Sequence, residues 1–240
     1  MVLVLCEGFD HAAFWAIGRL RDRGIAVDVV TGDDLAAAEC WDHRLGAAGV
    51  SLSIRLRDGR CTVGDDARGV LNRLSYLPHA WLQQIGGPDR DYALQEMYAL
   101  YLSWLHSLKG PVVNPAVPQG LCGNWRHPSM WMLLAGRAGL PVAPYRLSSD
   151  DDPTLTWQPR SVPAPLTAFV AGRHVVAPTL PGELHEPCRR LASLAGVTLL
   201  GIYFAPDAKG DWQFTGASVM PDLITGGEAL IDALAEALNA

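Results

Sequence analysis

Histidines, cysteines and paired carboxylates are the side chains that most often do chemistry, and here none falls in a spacing that defines a site. The seven histidines are scattered, and His185-Glu186 lacks the second histidine that a helix-borne zinc site requires. The five cysteines (Cys6, Cys40, Cys61, Cys122 and Cys188) include no Cys-x-x-Cys pair, so neither a zinc knuckle nor a dithiol motif is available. The plainer reading is a set of thiols in a reducing compartment. There is no Gly-x-Gly-x-x-Gly after the first apolar run, no phosphate loop ending in Gly-Lys-Ser/Thr and no Gly-x-Ser-x-Gly elbow. Information lies instead in the order of the pieces.

Residues 2–6 are apolar throughout, as in a strand buried on both faces. Phe14, Ile17 and Leu20 follow at helical spacing up to Gly24, a natural helix stop, and 25–30 read as a second buried strand. Strand, helix, strand in thirty residues predicts a right-handed βαβ unit with a parallel pair. Residues 50–56 alternate into Arg57-Asp-Gly-Arg60, a hairpin turn, and 69–74 form another strand. The spacing predicts a long helix over 91–108 whose Tyr, Leu and Trp stripe is packing. A short strand over 110–115 runs into a Pro/Gly-rich stretch, which sets the domain division at 1–118 and 119–240. Beyond it come helices over 128–139, 183–195 and 227–238, a hairpin turning at Ala171-Gly172-Arg173, and paired strands over 199–204 and 212–215. Residues 148–165 read as an exposed acidic, then Pro-rich loop, with Trp157 its exposed aromatic and a candidate partner contact.

The 240 residues are 49% hydrophobic and 18% charged, enough apolar material for a core and too much for intrinsic disorder. A net charge of −6 without a Lys/Arg cluster argues against nucleic acid, whose binding rests on neutralising phosphates. The opening Met-Val-Leu-Val-Leu-Cys-Glu lacks the cationic start and long apolar stretch of a signal peptide, and no membrane span is expected. The expectation is a cytoplasmic chain.

Several pieces carry a resemblance when taken in order: Asn72-Arg73 closing a strand, Val112-Val-Asn114-Pro115, a helix ending Gly139-Leu-Pro141-Val, then Leu191-Ala…Gly196, Gly201-Ile-Tyr-Phe204, Gly210-Asp-Trp-Gln-Phe214 and Pro221-Asp. This succession resembles the ATP-grasp superfamily, above all glutamate-adding ligases and graspetide peptide maturases. The resemblance implies an α/β, ATP-grasp-like fold: an N-terminal parallel βαβ pre-domain, followed by a reduced two-part α+β lobe. It also implies that Asn72, Arg73, Asn114, Arg126 and His127 line a substrate or nucleotide cleft.

The departures from the family pattern are specific. Where the first phosphate-binding lysine belongs, the chain has His127, preceded by Arg126, whose guanidinium could serve as the cation. Between Ser149 and Thr167 there is neither a lysine nor a glycine for the second lysine and its glycine-rich loop. At the metal-binding positions the aspartate has become Tyr203, the glutamate Gly216 and the asparagine Ser218. Magnesium prefers carboxylate oxygens beside the substrate phosphates, so no metal site is expected. Asp222 is the one nearby carboxylate, and its plainer reading is a turn residue after Pro221.

Three readings follow. The first is an ATP-grasp-like protein with an eroded nucleotide and metal site, a non-catalytic binding protein or accessory in a biosynthetic pathway. Its partner would be a small molecule, a peptide or a protein, and homo- or hetero-oligomers are left open. The second is an active ATP-dependent carboxylate–amine ligase, and only here do ATP and Mg enter as cofactors. The third gives the scaffold ATP-independent acid–base chemistry through His127, Tyr203 or Cys122, if environment shifts a pKa. Packing, a helix start and a loop thiol are the plainer roles for those three.

Overall fold

The computed structural model describes residues 1–47, 49–62, 67–77, 86–142, 145 and 166–239. The loop expected over 148–165, with Trp157 and most of the stretch that lacks lysine and glycine, lies outside them. The chain divides into two compact units, one of residues 1–125 with 231–240, the other of 126–230.

The first unit is built on a four-stranded parallel sheet in the order β2-β1-β6-β7, from β1 (Val2–Cys6), β2 (Val27–Thr31), β6 (Gly69–Asn72) and β7 (Val112–Val113). β1 is central, pairing Val4 with Val29 on one side and with Leu71 on the other. Its five residues are all buried, as their unbroken apolar run requires. α1 (His11–Asp22) makes the crossover to β2, completing the expected βαβ unit, and Gly24 just past its end takes a positive φ of 75°. A short α2 (Gly32–Ala36) follows β2, closed at its start by a Thr31–Asp34 capping box.

A three-stranded antiparallel sheet comes next: β3 (Cys40–Gly46), β4 (Gly49–Arg55) and β5 (Cys61–Thr62). The β4–β5 hairpin turns at Asp58-Gly59, as expected, with Gly59 at φ 83°. β3 was not expected, because its charged sequence has no apolar alternation and none of its residues is fully buried even when paired with β4. α3 (Gly87–Ser107) begins before the expected position 91. Its aromatic stripe is core: Tyr101 and Trp104 are buried, each packed against Trp41 at ring distances of 4.9 and 5.4 Å.

The second unit is an antiparallel sheet in the order β11-β10-β8-β9, from β8 (Leu166–Ala171), β9 (His174–Val176), β10 (Leu199–Pro206) and β11 (Trp212–Ser218). α4 (Pro128–Ala138) and α5 (His185–Ala195) share one core with its inner face, where Leu134 and Ala135 of α4 and Leu191 and Ala192 of α5 join Ala168, Val170, Leu200, Ile202, Phe204 and Phe214. Both helices stop at left-handed glycines, Gly139 and Gly196. The last helix, α6 (Leu223–Asn239), starts ahead of the expected 227 because the Asp222 carboxylate accepts the Ile224 N–H (3.1 Å) and the Thr225 hydroxyl (2.6 Å). The backbone breaks helical geometry at Gly227, φ 62°. No described helix is long and apolar enough to cross a membrane.

Candidate functional site

Parallel strands end together at one edge, and there the loops after β1 and β6 meet. Asn72 ends β6 with its side chain buried, and its amide donates to the Asn114 carbonyl (3.1 Å) and the Leu121 carbonyl (2.6 Å). Its own oxygen accepts the Leu74 N–H at 3.2 Å. Asn114 holds a positive φ of 58°, a conformation that asparagine tolerates better than most side chains. The structure thus brings Asn72 and Asn114 together, and spends the Asn72 amide on tying the chain after β7 to the sheet.

Arg73 is buried as well, and it grips Asp10 with Nε to Oδ2 at 2.7 Å and Nη2 to Oδ1 at 3.2 Å. Asp10 in turn caps α1, accepting the Ala13 N–H at 3.0 Å. Glu7, at the end of β1, is 2% exposed; one carboxylate oxygen accepts the Ser75 N–H (2.9 Å), the Ser75 hydroxyl (3.2 Å) and the Tyr76 N–H (3.4 Å). Sequence reading missed Glu7 and Asp10. The only signal was a pair of carboxylates directly after an apolar strand, whose partners lie over sixty residues away. Burial pushes the nearby thiols up, Cys6 to about 12 and Cys122 to about 11, so neither is a thiolate nucleophile at neutral pH.

In the second unit, Arg126 donates to the Ala195 carbonyl at 2.8 Å and stacks over the Trp131 ring, 5.3 Å from its centroid. His127 is exposed and caps α4, its Nδ1 accepting the Ser129 N–H at 3.3 Å.

Tyr203, Gly216 and Ser218 do converge. In β10 the core-facing residues are Leu200, Ile202 and Phe204, so Gly201 and Tyr203 point to the opposite face. A register shift leaves Tyr203 opposite Gly216 and Gly201 opposite Ser218, which puts all four on that face. A Cβ at Gly216 would lie 3.6 Å from the Tyr203 ring, in ordinary van der Waals contact with its edge. The Ser218 hydroxyl accepts the Met220 N–H at 3.1 Å.

A magnesium ion with nucleotide phosphates needs carboxylate ligands, and this face offers a phenol, a bare backbone position and a hydroxyl. Among the described residues no group of three or more His, Cys, Asp or Glu could hold a metal. The donor set does not fit the ion that the fold implies.

No family model matches the sequence, and no curated protein matches it. Solved structures match nearly end to end. The macrocyclase MdnC of Microcystis aeruginosa MRC, solved with the precursor peptide MdnA, superposes at a TM-score of 0.73 with 13% identity, covering 99% of this chain and 98% of that one. The ATP-grasp ligase PsnB, complexed with a phosphomimetic variant of its minimal precursor, Mg and ADP, gives 0.70 at 16% identity and 98% of both chains. A RiPP-associated ATP-grasp ligase of Chryseobacterium gregarium, in complex with ADP and a leader and core peptide, gives 0.69 at 12%, covering 99% and 96%. The chain therefore has the fold of the ATP-grasp ligases, as the order of its sequence pieces implied.

Proposed function

We propose that this protein binds a peptide partner in a biosynthetic pathway without Mg-ATP chemistry of its own, as an ATP-grasp-like accessory. One observation carries the reading: among the described residues the paired strand positions on the face of Tyr203, Gly216 and Ser218 offer no carboxylate, and the Tyr203 ring lies in van der Waals range of a Cβ at Gly216. The peptide is suggested by the three structural neighbours described above, each solved with a precursor or a leader and core peptide. Asn72, Arg73 and Asn114 then serve the frame of the first unit, and Arg126 the frame of the second. The test is phosphate release from ATP with magnesium and a broad panel of peptide and amino-acid acids. Silence across the panel is expected, and turnover above background sinks the reading.

One observation favours a second reading, an ATP-dependent carboxylate–amine ligase: PsnB, matched over 98% of both chains, is solved with Mg and ADP. Under it Arg126 would leave Trp131 to meet the phosphates, and Asn72, Arg73 and Asn114 would face the acid. Turnover in the same assay, abolished by Arg126→Ala, is its signature.

A further inference from the structure

The carboxyl-end loops of the parallel sheet carry an exposed aromatic pair that the reading above does not use. Phe9 is 65% exposed and Tyr76 43%, their rings stacked at 6.3 Å and 13°. Two large rings left in water would normally turn inward or be replaced, since each could bury well over 100 Å². Here they are held out by a buried frame. Glu7 fixes the backbone of Ser75 and Tyr76 from below, and Arg73 on Asp10 joins the same two loops beside Phe9. The rings are thus preorganised, which removes much of the entropy a ligand would otherwise have to supply.

The charge around them is negative. Glu7 and Asp10 lie in the β1 loop, and Asp33 at the start of α2 adjoins it, with Oδ2 3.4 Å from where a Cβ on Gly8 would stand. The Tyr76 hydroxyl is held above its usual range, by burial first and then by the charges of Glu7 and Asp33. Among the described residues Arg73 is engaged on Asp10, whose charge it offsets, and Arg60 on Asp28 and Asp58, so the carboxylates that face the rings are Glu7 and Asp33. Ring faces and the carboxylates of Glu7 and Asp33 attract the same kind of group, a cation with an aliphatic stem.

We propose that the Phe9–Tyr76 pair is a docking point for a basic side chain, lysine or arginine, of the peptide partner. The proposal rests on the peptide-binding reading and names the feature by which the peptide is recognised. The stem of the side chain lies along the rings, and the ammonium or guanidinium sits over a ring face within reach of Asp33.

The test is fluorescence anisotropy of the full chain with a labelled acetyl-Lys-Gly-Lys-Gly-Lys-amide, and with the same peptide carrying norleucine for lysine. The lysine peptide is expected to bind saturably, more weakly as salt rises, while the norleucine peptide does not bind. Phe9→Leu with Tyr76→Leu keeps apolar bulk but removes the ring faces, and should weaken binding about 5-fold or more. Leu45→Ala, on exposed β3, should leave it unchanged. Equal binding of the norleucine peptide, full binding by the double leucine variant, or no binding of the lysine peptide overturns the proposal. ATP turnover in the phosphate assay would instead overturn the accessory reading and leave this titration standing, so the two failures are told apart.

Discussion

The carboxyl edge of the parallel sheet and the outer face of the antiparallel sheet have opposite polar economies. At the first, Glu7, Asn72, Arg73 and Asn114 are the buried polar residues of the described chain, and Glu7, Asn72 and Arg73 are tied into hydrogen bonds that join loops distant in sequence. At the second, where the family resemblance puts the metal-binding positions, the strands present Tyr203, Gly216 and Ser218. Buried polar groups are tolerated only when satisfied, and the first edge meets that condition by making them structural. On the proposed reading, the contrast teaches that a fold can keep the side chains that hold it together while lacking those that would hold Mg-ATP.

The comparison can be broken most forcefully at the ion pair. Replacing Arg73 by Met leaves Asp10 buried without its partner, which should cost about 3–5 kcal/mol. Thermal or denaturant unfolding reads it, and a loss under ~1 kcal/mol would mean that the pair does not frame the edge. Asn72→Ala is next, with two carbonyls and one N–H deprived of partners and roughly 2–4 kcal/mol expected.

Alkaline pH gives a finer probe. Cys6 and Cys188 are pushed up to about 12 and Cys122 to about 11, so between pH 9 and those values the unfolded chain releases protons that the folded chain keeps. Stability contributed by the neutral thiols is complete below pH 9 and falls as pH rises toward 12. The Cys6→Ala, Cys122→Ala double variant should flatten that limb, and an unchanged limb would contradict the burial assigned to these thiols. The smallest effects belong to the outer face: Tyr203→Phe and Ser218→Ala should each shift stability by about 1 kcal/mol or less. A loss as large as that of Asn72→Ala would erase the contrast between the two regions.

Much of the frame was legible because its signals are local. The unbroken apolar run of β1, the Asp58-Gly59 turn and the glycines closing α1, α4 and α5 each specify an element within a few residues. β3 escaped because a solvated strand such as Cys-Trp-Asp-His-Arg-Leu-Gly has no periodicity of its own. Site residues divide in the same way. Positions 203, 216 and 218 were singled out by the family resemblance and share one face of the sheet, whereas the Arg73–Asp10 pair spans 63 residues and exists only once β6 has inserted beside β1. The exposed Phe9–Tyr76 pair has the same origin, since its rings meet only when the two loops do.

On the proposed reading, the outer face holds no magnesium–nucleotide complex. Calorimetric titration of the full chain with ATP and magnesium tests it most directly. The account predicts no saturable heat even at millimolar nucleotide. Micromolar binding that requires magnesium and disappears in Arg126→Ala would contradict it and make the ligase reading the correct one.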